Sequence, residues 1–277
     1  MDRWNVTLTA GQEAVLQAAK TGSSPKVRVV VSLIGGFPVT SAWASQNADA
    51  LLIAGCGGEQ GGAGLLDVMT GAVPAAGRLP YTIHRDQAAL PDITVYGDLA
   101  NQTYRNRQFA PAPLYLFGDG RGFSVFTYSS LKLSPAAPSV CDSITVAVDV
   151  TNTGAVAADE VVQIYARCPC DSASDCEAGT CAAAALSTPP STALIGFTRQ
   201  TIAGGAKQTV TIEIRTRDLA SYREEDMVEV LRPGKLWLTV GGGQLGSTTT
   251  SPVLQARVAI GGAETALSDC APRSVPE

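Results

Sequence analysis

Hydrophobic and polar positions follow two different rhythms along this chain. Before residue 86, short apolar runs alternate with stretches of helical spacing. Thr9-Ala10-Gly11-Gln12 has the form of a capping box, in which the Thr hydroxyl and the Gln side chain satisfy amides that a first helical turn leaves without partners. The spacing predicts a helix from there to about Lys20, with Ala14, Val15, Ala18 and Ala19 on one face and Gly22 and Pro25 ending it. Residues 27–34, VRVVVSLI, are β-branched and apolar almost throughout, as a parallel strand covered on both faces would be. Gly35-Gly36 break that run, and SAWASQ reads as a short helical piece. ADALLIAG reads as a second buried strand, and a glycine-rich opening then leads into a helix through Leu65, Leu66, Val68 and Met69. GRLPYTI is expected to be a third strand. Such alternation implies right-handed crossovers and a three-layer α/β/α sandwich, here only a partial one, over residues 1–85.

Residues 86–122 are rich in proline, glycine and aromatics, too long for an ordinary loop, and read as a linker wrapped over the surface. From Phe123 the period becomes two. SITVAVDVTNTG alternates as a half-buried antiparallel strand does, and VVQIYA, TALIGFT, QTVTIEIRT, MVEVL, KLWLTVGG and VLQARVAI follow with turn sequences between them. About seven such strands over residues 123–262 predict a β-sandwich, so the fold class is α/β plus all-β. Residues 263–277 read as a tail.

Charge and length narrow the function classes. The 277 residues are 45% hydrophobic and 16% charged, with a net charge of −5, so a core is possible and a phosphate-neutralising basic face is not. A nucleic-acid partner is not expected. No apolar run reaches the roughly 18–20 residues of a membrane span, so no membrane partner is expected either. Met1 is followed at once by Asp2 and Arg3, without the basic and apolar regions of a signal peptide. Other features point outside the cell. Asn5-Val6-Thr7 and Asn101-Gln102-Thr103 are N-glycosylation acceptors. Cys168, Cys170, Cys176 and Cys181 crowd one small, polar segment that has no core of its own, and disulfides would staple it. Four thiolates around zinc are the rival reading, against which stands the lack of C-x2-C pairs. Cys141 and Cys270 are candidates for a further bridge, and Cys56 for a buried free thiol. Secretion of a longer form follows from these features.

Candidate chemistry is sparse. His84 is the only histidine and has neither a nucleophile elbow for a triad nor companions for a multi-His metal site, so no metal is expected. GCGGEQGGAG fits neither the phosphate-loop nor the dinucleotide pattern, and no cofactor is expected. Glu59 sits in that segment at a strand end, where open α/β sheets bind ligands; support of the following helix through its dipole is the plainer role. Trp43 and Trp237 lie in apolar patterned segments and are expected in the core, while Trp4 is a third candidate for sugar stacking.

Taken together, these segments resemble the C-terminal half of glycoside hydrolase family three, the β-glucosidase and β-xylosidase family. The carriers are Asp2-Arg3 with Leu8 and Gln12, VVVSLIGGFPVTSAWA, GCGGEQGGAGLLDVMTGAVPAAGRLPYTI, Gln102-Thr103-Tyr104-Arg105 and LYLFGDGRGFSVFTYS. Two departures are Ala10 for the usual Pro and Arg121-Gly122-Phe123 for the usual Leu-Ser-Tyr. Val150-Thr151-Asn152-Thr153-Gly154, Glu160 to Tyr165, Leu194 to Phe197, Asp218-Leu219 and Pro233-Gly234 resemble the family's fibronectin-III-like appendage, to which the Cys-rich insert 168–181 is extra. The resemblance implies a glycan substrate for the full-length form, with a leaning of the Tyr-Arg segment toward the β-xylosidase and arabinosidase branch. It implies a nucleophilic Asp on an N-terminal TIM barrel and an acid/base Glu a little before Asp2-Arg3. No catalytic residue is therefore expected in this chain, whose missing partner is the barrel. Asp2, Arg3, Glu59, Tyr104 and Arg105 are cleft-rim or structural candidates. The competing readings are a non-catalytic binding or scaffold module, for which the sandwich speaks, and a different enzyme using Glu59.

Overall fold

The structure is a computed structural model. It describes residues 5–24, 27–90, 94, 103–105, 112–170, 192–223, 225–247 and 253–270. Asp2, Arg3, Trp4, Asn101, Cys176 and Cys181 lie outside the described residues.

Helix α1 (Ala10–Gly22) begins at Thr9 with the expected capping box: the Thr9 hydroxyl accepts from the Gln12 amide at 3.3 Å, and the Gln12 side chain accepts from the Thr9 amide at 3.0 Å. Strands β1 (Val30–Ile34) and β2 (Ala50–Gly55) pair in parallel across α2 (Ala42–Asn47), which Ser41 caps by accepting from the Ala44 amide at 3.0 Å. Val31, Leu33 and Ala44 form a small core with Leu16, Trp43 and Ile53 packed against it. Helix α3 (Gly61–Thr70) closes the α/β order, ending on the left-handed Gly71.

Three expectations change here. The Ala14–Val15 face of α1 is not the packing face: Val15 is 68% exposed, and Leu16 is the α1 residue that reaches the core. Strand β1 is covered on one face only, since Val31 and Leu33 are buried whereas Ile34 is 67% exposed. A sheet of two strands is too narrow to engage helices on both sides. GRLPYTI does not join that sheet. Pro80 has no amide to donate, and the segment pairs instead with residues 114–119. The Leu79 amide donates to the Asp119 carbonyl (2.9 Å), the Gly118 amide to the Leu79 carbonyl (2.8 Å), and the Ile83 amide to the Tyr115 carbonyl (2.8 Å). The linker is thus drawn inward along this stretch, and Gly118 and Asp119 are buried.

The second unit is a sandwich. One sheet has the order β11-β10-β5-β6, made of Leu254–Ile260, Gly234–Gly241, Ala158–Cys170 and Ala193–Ile202. The facing sheet is β3-β4-β7, made of Phe126–Ser134, Ile144–Asn152 and Lys207–Ile214. Strand β4 buries Ile144, Val146, Val148 and Val150 and leaves the residues between half-buried, in the alternation the period-two pattern requires. These side chains meet Val162, Ile164, Leu236, Leu238 and Val240 in the main core. A small third sheet, β12-β9-β8, takes Val228–Leu231 (β9), with Ser221–Arg223 (β8) and Thr265–Ala266 (β12).

Strand β3 was absent from the sequence pattern because its register shifts between Ser129 and Lys132. Phe126 and Tyr128 face the core before the bulge, Leu131 and Leu133 after it, so the apolar phase slips by one residue. Trp237 is also corrected. Leu236 and Leu238 point into the core, which puts Trp237 on the outer face, where the Arg257 guanidinium lies 4.4 Å from the ring centre. Cys141 and Cys270 are bonded, with their Cα atoms 5.4 Å apart, and join the β3–β4 connection to the last described residue.

Candidate functional site

The carboxyl ends of β1 and β2 are where an open parallel sheet offers a ligand crevice. Glycines shape the loops there. Gly55 and Gly58 have φ of +60° and +64°, a region side chains disfavour, and a Cβ on Gly57 would lie 2.6 Å from the Gly61 Cα. The β2–α3 turn therefore folds tightly onto the start of its helix, which explains GCGGEQGG without any phosphate. A shallow cleft opens beside Leu33, Phe37, Ile53 and Tyr81, with a volume of about 10 Å³. That is room for about one water, against roughly 300–1,000 Å³ for a small-molecule pocket.

Glu59 is exposed on the turn and makes no hydrogen bond or ion pair with another described residue. The cap of α3 is Gln60, and no side chain caps it. Cys56 in the same turn is an exposed free thiol, which corrects the expectation of a buried one: β2 has ended at Gly55, and the thiol lies on the turn beyond the sheet, beside Gly36. His84 is half-buried, and burial holds its imidazole below the usual pKa, in the neutral form at neutral pH.

Tyr104 and Arg105 do not meet Glu59 through any such contact. The Tyr104 ring stacks on Phe117 at 4.0 Å, and its hydroxyl accepts from the Leu194 amide at 3.3 Å. The Arg105 carbonyl accepts from the Thr192 amide at 2.7 Å. Both residues thus hold to the β6 side of the sandwich. Asn5 is exposed and accepts from the Thr7 amide and hydroxyl, each at 2.9 Å. The side chains of Cys168 and Cys170, at the end of β5, lie outside the described set.

The residues that sequence reading passed over are Arg78, Tyr128 and Glu160. Glu160 is the third residue of β5 and is 4% exposed; its carboxylate meets Arg78 at 2.7 Å and the Tyr128 hydroxyl at 2.5 Å. Burial is the largest influence on Glu160 and raises its pKa, while Arg78 and the Tyr128 hydroxyl oppose it. The signal was a charged residue in phase with a continuous buried run, which needs a partner, but nothing in the chain order names that partner.

The geometry defines a class: an α/β unit with strand-end glycine loops, fused to a fibronectin-type sandwich. Residues 1–123 match the Glycosyl hydrolase family 3 C-terminal domain, and residues 160–244 the Fibronectin type III-like domain. The chain belongs to glycosyl hydrolase family 3. A "Beta-glucosidase cel3A" of Pyricularia oryzae is 31% identical over 87% of this chain and 34% of its own length. A "Beta-xylosidase" of Formosa agariphila is 28% identical over 87% of this chain and 31% of its own. Among solved structures, a β-glucosidase of Erythrobacter marinus superposes with a TM-score of 0.71 at 27% identity, covering 94% of this chain and 31% of its own. The chain thus spans about a third of the length of these relatives.

Proposed function

We propose that this chain is the C-terminal portion of an enzyme that hydrolyses β-linked glucosides or xylosides in carbohydrate or plant cell-wall breakdown, and that it is inert alone. The observation that carries this reading is the match to the family over about a third of the relatives' length, beside a strand-end cleft of about 10 Å³ whose lining contains no carboxylate. Retaining glycosidases need two carboxyl groups about 5–5.5 Å apart around a sugar ring. In this reading the nucleophile and acid/base belong to the portion of the family that this chain does not span, and Glu59, Asp2 and Arg3 are structural. Tyr104 and Arg105 serve the packing between the units.

The same reading divides the chain at 1–85, 86–122, 123–262 and 263–277, and takes the enzyme to be secreted. Disulfides among Cys168, Cys170, Cys176 and Cys181 and glycans on Asn5 and Asn101 go with secretion, as does the Cys141–Cys270 bridge. The test is release of aryl groups from aryl β-glucoside, β-xyloside and α-arabinofuranoside by the purified chain. No turnover is expected, from wild type or from Glu59→Gln. Turnover lost in Glu59→Gln would overturn the placement of the catalytic pair.

A further inference from the structure

Domains of one chain move relative to one another unless their interface is extensive, yet the contacts between the two units here are buried. Residues 114–120 form a wedge. One edge pairs with Leu79 and Ile83 of the α/β unit, as described above. The other edge is held by buried amide side chains of the sandwich. Gln163 Nε2 donates to the Gly118 carbonyl at 3.0 Å and to the Gly242 carbonyl at 2.9 Å, and its Oε1 accepts from the Tyr165 hydroxyl at 2.5 Å. Gln244 Nε2 donates to the Phe117 carbonyl at 2.7 Å.

Beside the wedge, Arg78 crosses from one unit to the other. Its Nη1 donates to the Gly120 carbonyl at 3.0 Å and its Nη2 to Glu160 at 2.7 Å, with side-chain exposures of 12% and 5% for the pair. The Tyr128 hydroxyl donates to the other Glu160 oxygen. The backbones touch so closely that side chains are excluded: a Cβ on Gly118 would lie 2.3 Å from the Tyr165 hydroxyl, one on Gly120 2.4 Å from the Gly77 carbonyl, and one on Gly242 2.4 Å from Glu160. A buried charge pair bonded on both sides tolerates little relative motion, because a small shift within the closed interface breaks its bonds before water can reach either charge.

We infer that the sandwich is an intramolecular clamp, which holds the α/β unit folded through the Arg78–Glu160–Tyr128 cluster and the 114–120 wedge, so that the two unfold as one body. The α/β unit needs such a clamp: among the described residues its own buried apolar cluster is Val31, Leu33 and Ala44, while its other buried apolar side chains, Ala76 and Ile83, lie outside that cluster, and Ile83 pairs with the wedge. The inference does not depend on the catalytic reading.

Two tryptophans, one in each unit, allow a direct test on the whole chain. In a Trp4→Phe background, Trp43 reports on the α/β unit when Trp237 is replaced by Phe, and Trp237 reports on the sandwich when Trp43 is replaced. Thermal melts followed by the two reporters are expected to coincide. Tyr128→Phe lies in the sandwich and removes one bond to Glu160, yet it is expected to lower the Trp43 midpoint by a few degrees. Arg78→Met is expected to lower it by about 10 °C, with recovery in Arg78→Met/Glu160→Gln, where no buried charge remains. Well-separated wild-type melts, or a Trp43 midpoint that neither Tyr128→Phe nor Arg78→Met moves, would overturn the clamp.

Discussion

Asn152 shows how much one polar side chain can decide. It is fully buried at the end of β4, and every hydrogen-bonding atom of its amide is used: Nδ2 donates to the Val156 and Ile202 carbonyls at 2.9 Å each, and Oδ1 accepts from the Gly154 amide at 2.9 Å. Asn152→Ala leaves those groups buried without partners, and we expect a loss of about 2–3 kcal/mol, read as a lower urea midpoint with an unchanged slope. Glu160 supplies a pH test. Its folded pKa is raised by burial, with Arg78 and Tyr128 the titratable groups against it. A raised carboxyl pKa contributes stability that is present below the unfolded value and is lost as pH rises through the folded one. Arg78→Met removes the opposing charge and widens that window. The variant is therefore expected to lose about 3–5 kcal/mol at pH 7.5 and distinctly less near pH 4.5, in denaturation at the two pH values. Asp49 has the opposite sign. The Lys20 ammonium, the Val29 amide and the Arg28 guanidinium hold its carboxyl well below the usual range, so its contribution is present above about pH 4 and fades on acidification.

Among the elements, β1 and α3 carry apolar surface that no other described residue covers. Val30 and Ile34 are exposed on one face of β1, and Leu66 and Met69, three residues apart, on one side of α3. Both strands of the parallel pair also keep an unpaired edge among the described residues. The purified chain is expected to self-associate with rising concentration, and Leu66→Lys/Met69→Lys to shift the sedimentation profile toward monomer. A monomeric wild type at high concentration would contradict this. Element boundaries were legible wherever local chemistry set them: the Thr9 capping box, the short helix within SAWASQ and the alternation of β4 all stand where the spacing put them. They were illegible where a neighbour decided. The bulge in β3 slips the phase of its apolar residues, and the GRLPYTI segment, which looks like any short strand, finds its hydrogen bonds in residues 114–119.

For the whole molecule, the Cys141–Cys270 bond closes a separation of 129 residues. Replacing both cysteines by Ser is expected to lower stability by about 2–5 kcal/mol, visible as a lower melting temperature. Cys56 should be alkylated in the native protein with that bond intact, as peptide mapping would show. The candidate site divides along the same line as the fold. Its glycine turn and lone Glu59 could be named from the chain, because a left-handed turn and a close backbone approach demand glycine locally. That the cleft is too small for a sugar, and that Tyr104 and Arg105 turn to the sandwich, could not, because cleft volume and side-chain partners depend on segments far apart in sequence.

Hydrophobic periodicity and the motif residues thus determined two units, their order, the helix caps and the family, since these rest on spacing within a few residues and on short contiguous patterns. Tertiary structure alone decided that the units are joined by a buried charge cluster and a shared wedge. Arg78 and Glu160 are 82 residues apart in the chain, and only the fold brings a guanidinium and a carboxylate together out of water, where each makes the other tolerable.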